Sequence, residues 1–337
     1  MKEFETIVIS AYWILLSILV ITIIGRYIYF VKTKVKRIQI TEEKIVFRIF
    51  RYATFIVLPI FIFSLVNFIF ILQKGNMFAL SWMKTTLLAF LFILLASELY
   101  YNTKIIQRNI NRIFHIGFLL IVSTIGIYLT ALYFKAISHP TKEKSVTIEL
   151  PFKGKWIATG AGATGLTNHH DRLRSQKYAV DISRLGDNDK LFKGEGIEKE
   201  ESHTFGAKIF SPVDGEVVYV VNDLPDTPTR ERDKLAGNHI VIRFQDSLFV
   251  ALAHLKKGSV VVKEGDVVEV GKLLAEVGLS GNTDFSHLHI HIQDRPIYDI
   301  ENGITYPVRF KAFKRKRYLF WNNIENEFLL SNDVISN

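Results

Sequence analysis

Hydrophobic positions are arranged in two different ways along this chain. Up to residue 135 they form four long runs, Thr6–Ile24, Tyr52–Leu72, Ala79–Leu99 and Ile116–Phe134. Each run approaches the ~20 residues that carry a helix across a bilayer. A buried helix of a water-soluble protein is seldom apolar on every side, so the pattern predicts four transmembrane helices over residues 1–135. In the third run Lys84 and Glu98 lie near the two ends, where long side chains reach the interface. Beyond a tether at 136–145, which contains Pro140, the period changes from helix-like to two. Short Val/Ile-rich segments, Gly215–Val221, His239–Phe244, Leu248–His254, Val267–Val270 and Leu288–Ile292, are separated by Gly, Asp and Asn turns. That alternation predicts an all-β, mainly antiparallel domain over 146–313, followed by a basic and polar tail at 314–337.

Charge sharpens the division. The 337-residue chain carries a net +9, but 17 Lys+Arg against 6 Asp+Glu lie up to Ser145, leaving 25 against 27 for the remainder. The excess of positive charge therefore belongs to the apolar half. A nucleic-acid groove would place it on the β half among aromatics, so the composition excludes a nucleic-acid partner. In the connections between the apolar runs, Arg26, Lys32, Lys34, Lys36, Arg37, Lys44, Arg48, Arg51, Lys104, Arg108 and Arg112 fall on one side. Six lysines fall on the other: Lys2, Lys74, Lys84, Lys135, Lys142 and Lys144. The positive-inside rule then predicts a multi-pass protein of the cell membrane, with both termini and the β domain outside the cytoplasm. The chain has no cysteine, which excludes disulfides, a thiolate nucleophile and cysteine-type zinc sites. A bound metal would be held by histidine and carboxylate.

Eight of the ten histidines fall in the β half: His169, His170, His203, His239, His254, His287, His289 and His291. In the segment Ser286–Ile292 the histidines at 287, 289 and 291 alternate with Leu288, Ile290 and Ile292. On a strand the three imidazoles share one face and the three apolar side chains the other. Imidazoles two residues apart can converge on one ion, with a third nearby as acid or base; a solvated polar face is the plainer alternative.

Taken in order, several motifs carry a resemblance: Asn168-His169-His170, Gln176 to Asp181, Ser211 to Val218, Ala251 to Leu255, Val262 to Gly271, Gly281-Asn282-Thr283 and His287-Leu288-His289. Together they resemble the lysostaphin-type zinc metallopeptidases, which are peptidoglycan endopeptidases, over roughly residues 154–294. The resemblance implies a Zn2+ cofactor held by His170, Asp181 and His289, with His254 taking the proton of the attacking water and His287 bonding the developing oxyanion. Two neutral imidazoles and a carboxylate leave one tetrahedral position for water, whose pKa zinc lowers to about 7. The family's usual four-residue spacing before the aspartate places Lys177 where a histidine would stand, and a protonated lysine does not ligate. The upstream histidines are eleven and twelve positions away, as in a branch of the family with Asn-x-His ahead of a longer loop; His169 is the alternative to His170. His291, one pair beyond the ligand, reads as supporting the site.

The resemblance implies peptidoglycan peptides as substrate partners, and the apolar runs imply a lipid bilayer. Four spans exceed what anchoring requires and admit a regulatory partner in the membrane. A different class of function is a non-catalytic cell-envelope binding or adaptor module, because Val262–Val277 also looks like a lipoyl-like hairpin. That reading needs no histidine constellation and predicts no stoichiometric zinc.

Overall fold

The computed structural model describes residues 109–140, 145–194, 198–229, 231–245, 247–299 and 301–337. Helix α1 spans Asn109–Ile137 and is considered by itself. Among the described residues no helix is long and apolar enough to cross a membrane. This corrects the expectation of a four-helix transmembrane region. The runs Thr6–Ile24, Tyr52–Leu72 and Ala79–Leu99, with their connecting loops, lie outside the described residues. The fourth run lies in α1, where Ser123, Thr124, Gly126, Tyr128 and Thr130 interrupt the apolar residues. Thr124 and Thr130 donate their hydroxyls back to the Leu120 and Gly126 carbonyls at 2.9 and 2.7 Å.

The rest is β structure. In chain order the strands are β1 (Val146–Ile148), β2 (Lys155–Gly160), β3 (Val180–Arg184), β4 (Lys208–Phe210) and β5 (Gly215–Val221). They continue with β6 (Asn238–Gln245), β7 (Leu248–Leu255), β8 (Val267–Val268), β9 (Leu273–Glu276) and β10 (Leu288–Gln293). The last four are β11 (Thr305–Tyr306), β12 (Val308–Lys316), β13 (Trp321–Glu327) and β14 (Val334–Ser336). One large sheet runs in the order β1-β12-β14-β2-β3-β10-β7-β6-β5-β8, with β11 beside β10 and β13 beside β12. Its pairings are antiparallel except β1 with β12. A second, two-stranded sheet pairs β4 with β9.

The core lies between the two sheets. Leu288, Ile290 and Ile292 from β10 meet Ile240, Ile242, Leu252 and Leu255 from β6 and β7, and Ile209, Leu274 and Val277 from the small sheet's side. These side chains are all fully buried, each removing enough apolar surface to contribute about 1.5–3 kcal/mol before the entropy of ordering is charged against it. The alternation of β10 thereby fixes its register. A slip by one residue would drive three imidazoles into this core.

Two further expectations need correction. Val262–Val277 does not form a lipoyl-like hairpin: β8 pairs with β5 and β9 with β4, so the segment links the two sheets. Residues 314–337 are no tail. They complete β12 and supply β13 and β14, and β14 is wedged between β12 and β2. Arg317 secures this end by a two-pronged ion pair to fully buried Asp333, at 2.6 and 2.7 Å.

Glycine is demanded most clearly at Gly237, which enters β6 with φ +64; a Cβ there would lie 2.4 Å from the Ser280 backbone. Gly265 also has positive φ, +89, but faces open space. Gly265→Ala should cost about 1–2 kcal/mol through backbone conformation alone. Gly237→Ala should cost a further 1–3 kcal/mol or so from overpacking. Equilibrium urea denaturation of the two variants measures the difference; equal midpoints would contradict the packing assigned to Gly237.

Candidate metal centre

Strands β3, β10 and β7 lie side by side and place their polar residues on the sheet face opposite the core. Asp181 of β3 pairs in register with His289 of β10, which in turn pairs with Ala253 of β7. Ala251 stands likewise opposite His291. Small residues on β7 leave room for the imidazoles.

His254 reaches the same face by a break in alternation. Leu252 and Leu255 both enter the core although they are three residues apart, so one step of phase must be lost between them. It is lost at His254, which adopts φ +62 opposite a register shift between Asn238 and Ile240. Such a conformation costs a non-glycine residue about 1–3 kcal/mol. It turns the His254 ring to within 4.8 Å of the His287 ring and 5.7 Å of the His289 ring, centroid to centroid.

The fifth residue arrives from a loop. Asn168 caps a short 3-10 helix, His169–Arg172, accepting the His170 amide proton on its side-chain oxygen. Its amide group donates to the Gly162 and Ala179 carbonyls, each at 2.9 Å. Asn168 is completely buried and ties the loop to the start of β3. His170 is thereby carried over Asp181, with Nε2 2.9 Å from Oδ2.

Asp181 is the centre of the arrangement. His289 Nδ1 lies 2.9 Å from its Oδ1, His287 Nε2 3.4 Å from Oδ1, and His169 Nε2 3.5 Å from Oδ2. His169, His170 and Asp181 each offer a ligand atom within 4.8 Å of one another. The side chain of His169 is 55% exposed and that of His170 11%. Burial opposes ionisation of Asp181, but the charges and hydrogen bonds of His170 and His287 outweigh it and hold the carboxyl well below its ordinary range. Burial depresses His254 far below the ordinary imidazole value, and the neighbouring His287 and His289 add to the effect. It also pushes His289 down to about 3. For His287 burial is outweighed by Asp181, and its pKa rises. The face thus combines neutral imidazoles, one imidazole that favours its proton and one ionised carboxylate.

Reading the residues in order did not identify Tyr298, whose hydroxyl accepts from Gln176 at 2.7 Å and lies 3.3 Å from His289 Nε2. It sits in a loop without periodicity and left no signal. Gln293 could have been found, since it continues the 287-289-291 alternation. His239 is buried and lines a cavity of about 540 Å³ together with Tyr219, Ala236 and Tyr298. That cavity adjoins the centre, because the Ala236 carbonyl accepts the His254 amide proton and Tyr298 touches His289.

Residues 195–299, about a third of the chain, match the model of peptidase family M23, the lysostaphin-type peptidases. The matched stretch contains His254, His287 and His289; His170 and Asp181 precede it. Among solved structures, the chain resembles a zinc-containing peptidase from Vibrio cholerae at 25% identity, covering 31% of this chain and 27% of that one, with a TM-score of 0.24. It resembles the catalytic domain of lysostaphin from Staphylococcus simulans at 18% identity, 30% and 74% coverage and a TM-score of 0.23. A third likeness is to the catalytic domain of a prophage-encoded M23 protein from Enterococcus faecalis, at 21% identity, 38% and 86% coverage and a TM-score of 0.23. The chain spans 27% of the length of the Vibrio cholerae peptidase and 36% of that of lysostaphin. No curated protein matches it.

Zinc is the metal of this family, and the residues present fit it. Imidazole nitrogens and a carboxylate are the donors that zinc takes in open, three-ligand sites. Here Asp181 and His289 are buried, His170 is half-buried beside them, and the three are held from three separate elements.

Asn168 supports the centre without touching it. Asn168→Ala should lower stability by roughly 1–3 kcal/mol, the cost of leaving buried backbone groups unpaired. Asn168→Asp should also destabilise, because a carboxylate cannot donate to the Gly162 and Ala179 carbonyls. Thermal denaturation reads both; an unchanged midpoint in Asn168→Ala would refute the tie.

Proposed function

We propose that this chain is a zinc-dependent endopeptidase that hydrolyses peptide bonds of peptidoglycan outside the cytoplasmic membrane. The observation that carries the reading is the convergence of His170, Asp181 and His289 on one buried point with His254 and His287 alongside. His170 is preferred to His169 as ligand for its shorter approach to Asp181 and its burial. When bound, zinc supplies a Lewis acid that polarises a carbonyl and brings the pKa of a water to about 7.

The chain's own residues supply the proton handling. His254 Nδ1 faces the Ser280 carbonyl at 2.8 Å, which can only accept, so Nδ1 carries the proton and Nε2 offers a lone pair. A neutral His254 is the base that removes a proton from the attacking water and returns it to the leaving amine. His287 Nδ1 lies 2.9 Å from the Phe285 carbonyl while Nε2 faces Asp181, so both nitrogens are set to donate. It is the group suited to bond the oxyanion as the carbonyl carbon becomes tetrahedral. The products are a carboxylate and an amine. The adjoining cavity beside Tyr298 and Ala236 offers room for a residue of the substrate next to the cleaved bond.

The full chain, purified with zinc, should release new amino groups from peptidoglycan. His170→Ala, Asp181→Ala and His289→Ala should each lower zinc content measured by atomic spectroscopy. His254→Ala and His287→Ala should retain zinc and lose on the order of 10²–10⁴-fold in turnover. Equal zinc loss in all five would show that ligands and proton-handling groups have been confused. Stoichiometric zinc without cleavage of any wall peptide would remove the substrate assignment.

A further inference from the structure

The cavity beside the centre has in its wall a polar atom that the fold leaves unsatisfied. On β6, Ile240 and Ile242 enter the core, so His239 lies on the opposite face. Its ring stands between those of Tyr219 and Tyr298, at 5.5 and 5.6 Å, and all three residues line the cavity. His239 Nδ1 is 2.8 Å from the Gly237 carbonyl, which can only accept, so Nδ1 donates. With Nδ1 turned back onto its own strand, Nε2 points away from the strand, toward the cavity. Nε2 has no hydrogen-bond partner among the described residues, and His239 is only 7% exposed. Burial lowers the pKa of the ring below the ordinary imidazole value, so Nε2 carries a lone pair. A buried acceptor without a donor is unfavourable, and a ligand that brings a donor recovers the loss.

The remaining lining says which donor fits. Leu224, Leu235 and Ile297 make apolar walls. The charged side chains are Arg232, Asp233, Asp299 and Glu301, one cation against three anions. Arg232 pairs with Glu301 at 2.8 Å, so those two cancel. Asp299 accepts from the backbone amides of Glu301 and Asn302, each at 3.0 Å, and lies 3.7 Å from Arg295. Lys234, beside Asp233 in the 3-10 turn Arg232–Lys234, is paired with Glu231. Asp233 is left without an ion pair among the described residues. An ammonium group on a methylene stem satisfies all of these features: the stem packs on the apolar walls, and the head donates to Nε2 and offsets the excess negative charge. A carboxylate would bring no donor and meet like charge, and a purely apolar side chain would leave Nε2 unpaired.

We propose that this cavity is the subsite for an amine-bearing, lysine-like side chain of the substrate peptide, with His239 and Asp233 as the residues that select it. That the occupant belongs to a substrate rests on the function proposed above. The preference for an amine does not.

The test keeps the two apart. N-acetyl-lysine methylamide and N-acetyl-norleucine methylamide share a methylene stem and differ in the ammonium group. Titrated calorimetrically into the metal-free full chain, the lysine probe should bind on the order of 10-fold more tightly, from its charge-assisted contacts. With 15N-labelled histidine it should also move the His239 Nε2 resonance. His239→Phe keeps a ring between the two tyrosines but no acceptor, and Asp233→Asn removes an exposed charge with little risk to folding. Each should erode the preference by roughly 3–10-fold. Equal affinity for the two probes, an unmoved His239 resonance, or a preference unchanged in Asp233→Asn would each overturn the proposal. Matched peptides with lysine or norleucine beside the cleaved bond then test the site in turnover by the zinc-loaded chain. Equal kcat/KM for both would overturn the subsite and leave the endopeptidase standing. Cleavage of neither, with the binding preference intact, would overturn the endopeptidase and leave the amine site standing.

Discussion

Everything at the candidate centre follows from one buried charge. A carboxylate withdrawn from water is unfavourable by several kcal/mol unless its oxygens find donors or a cation. Asp181 is 3% exposed, and it remains ionised because four imidazoles surround it. The fold is organised to deliver those imidazoles from different directions: the 3-10 turn after Asn168 from one side, β10 from beside it, and the broken alternation of β7 from beyond. Each delivery has a cost elsewhere, in a left-handed His254, in a completely buried Asn168, in alanines where larger side chains would pack more apolar surface. These costs are intelligible only if the arrangement is held for its chemistry.

The legibility of the sequence tracks the locality of the signal. The period-two segments at 215–221, 239–244, 248–254 and 288–292 are strands over most of their lengths, because one face of each enters a single core and the other does not; of 267–270 only Val267 and Val268 pair as strand. The face shared by His287, His289 and His291 could be read for the same reason. Strand β13 could not: nearly all its residues are exposed or half-exposed, so no alternation marks it, and it exists because β12 pairs with it. Strand β14 is three residues long and is defined by neighbours more than 170 positions away in the case of β2. His254 shows a third kind of limit. Strict alternation would have sent it into the core with Leu252, and only the resemblance to a family placed it with the other histidines. The expectation of membrane-spanning helices came from hydropathy of single segments, a local signal of a different sort; for the one run inside the described residues it did not survive, since hydroxyl and glycine positions divide that run.

The segment matched by the family model and the segment that forms the centre are not the same. Strands β5, β6 and β7, inside the match, pair with near neighbours in the chain. Asp181 and His289 pair across 108 positions, and β14 closes the sheet between β12 and β2. The matched stretch therefore holds β4 to β10 with His254, His287 and His289, and leaves out β3 and the preceding loop, which carry Asp181 and His170.

That division has a kinetic meaning. Contacts between neighbouring strands form early, because little chain entropy is lost in closing short loops, whereas pairings over a hundred residues or more come late. The β5-β6-β7 meander can assemble first and hold His254 and His239, yet at that stage no carboxylate stands opposite the imidazoles. The pairing of β3 with β10 sets Asp181 opposite His289 and joins the two parts of the large sheet in one event. A nascent or half-folded chain thus lacks the geometry of the candidate centre until its tertiary structure is essentially finished, and the order in which the strands close decides when that geometry first exists.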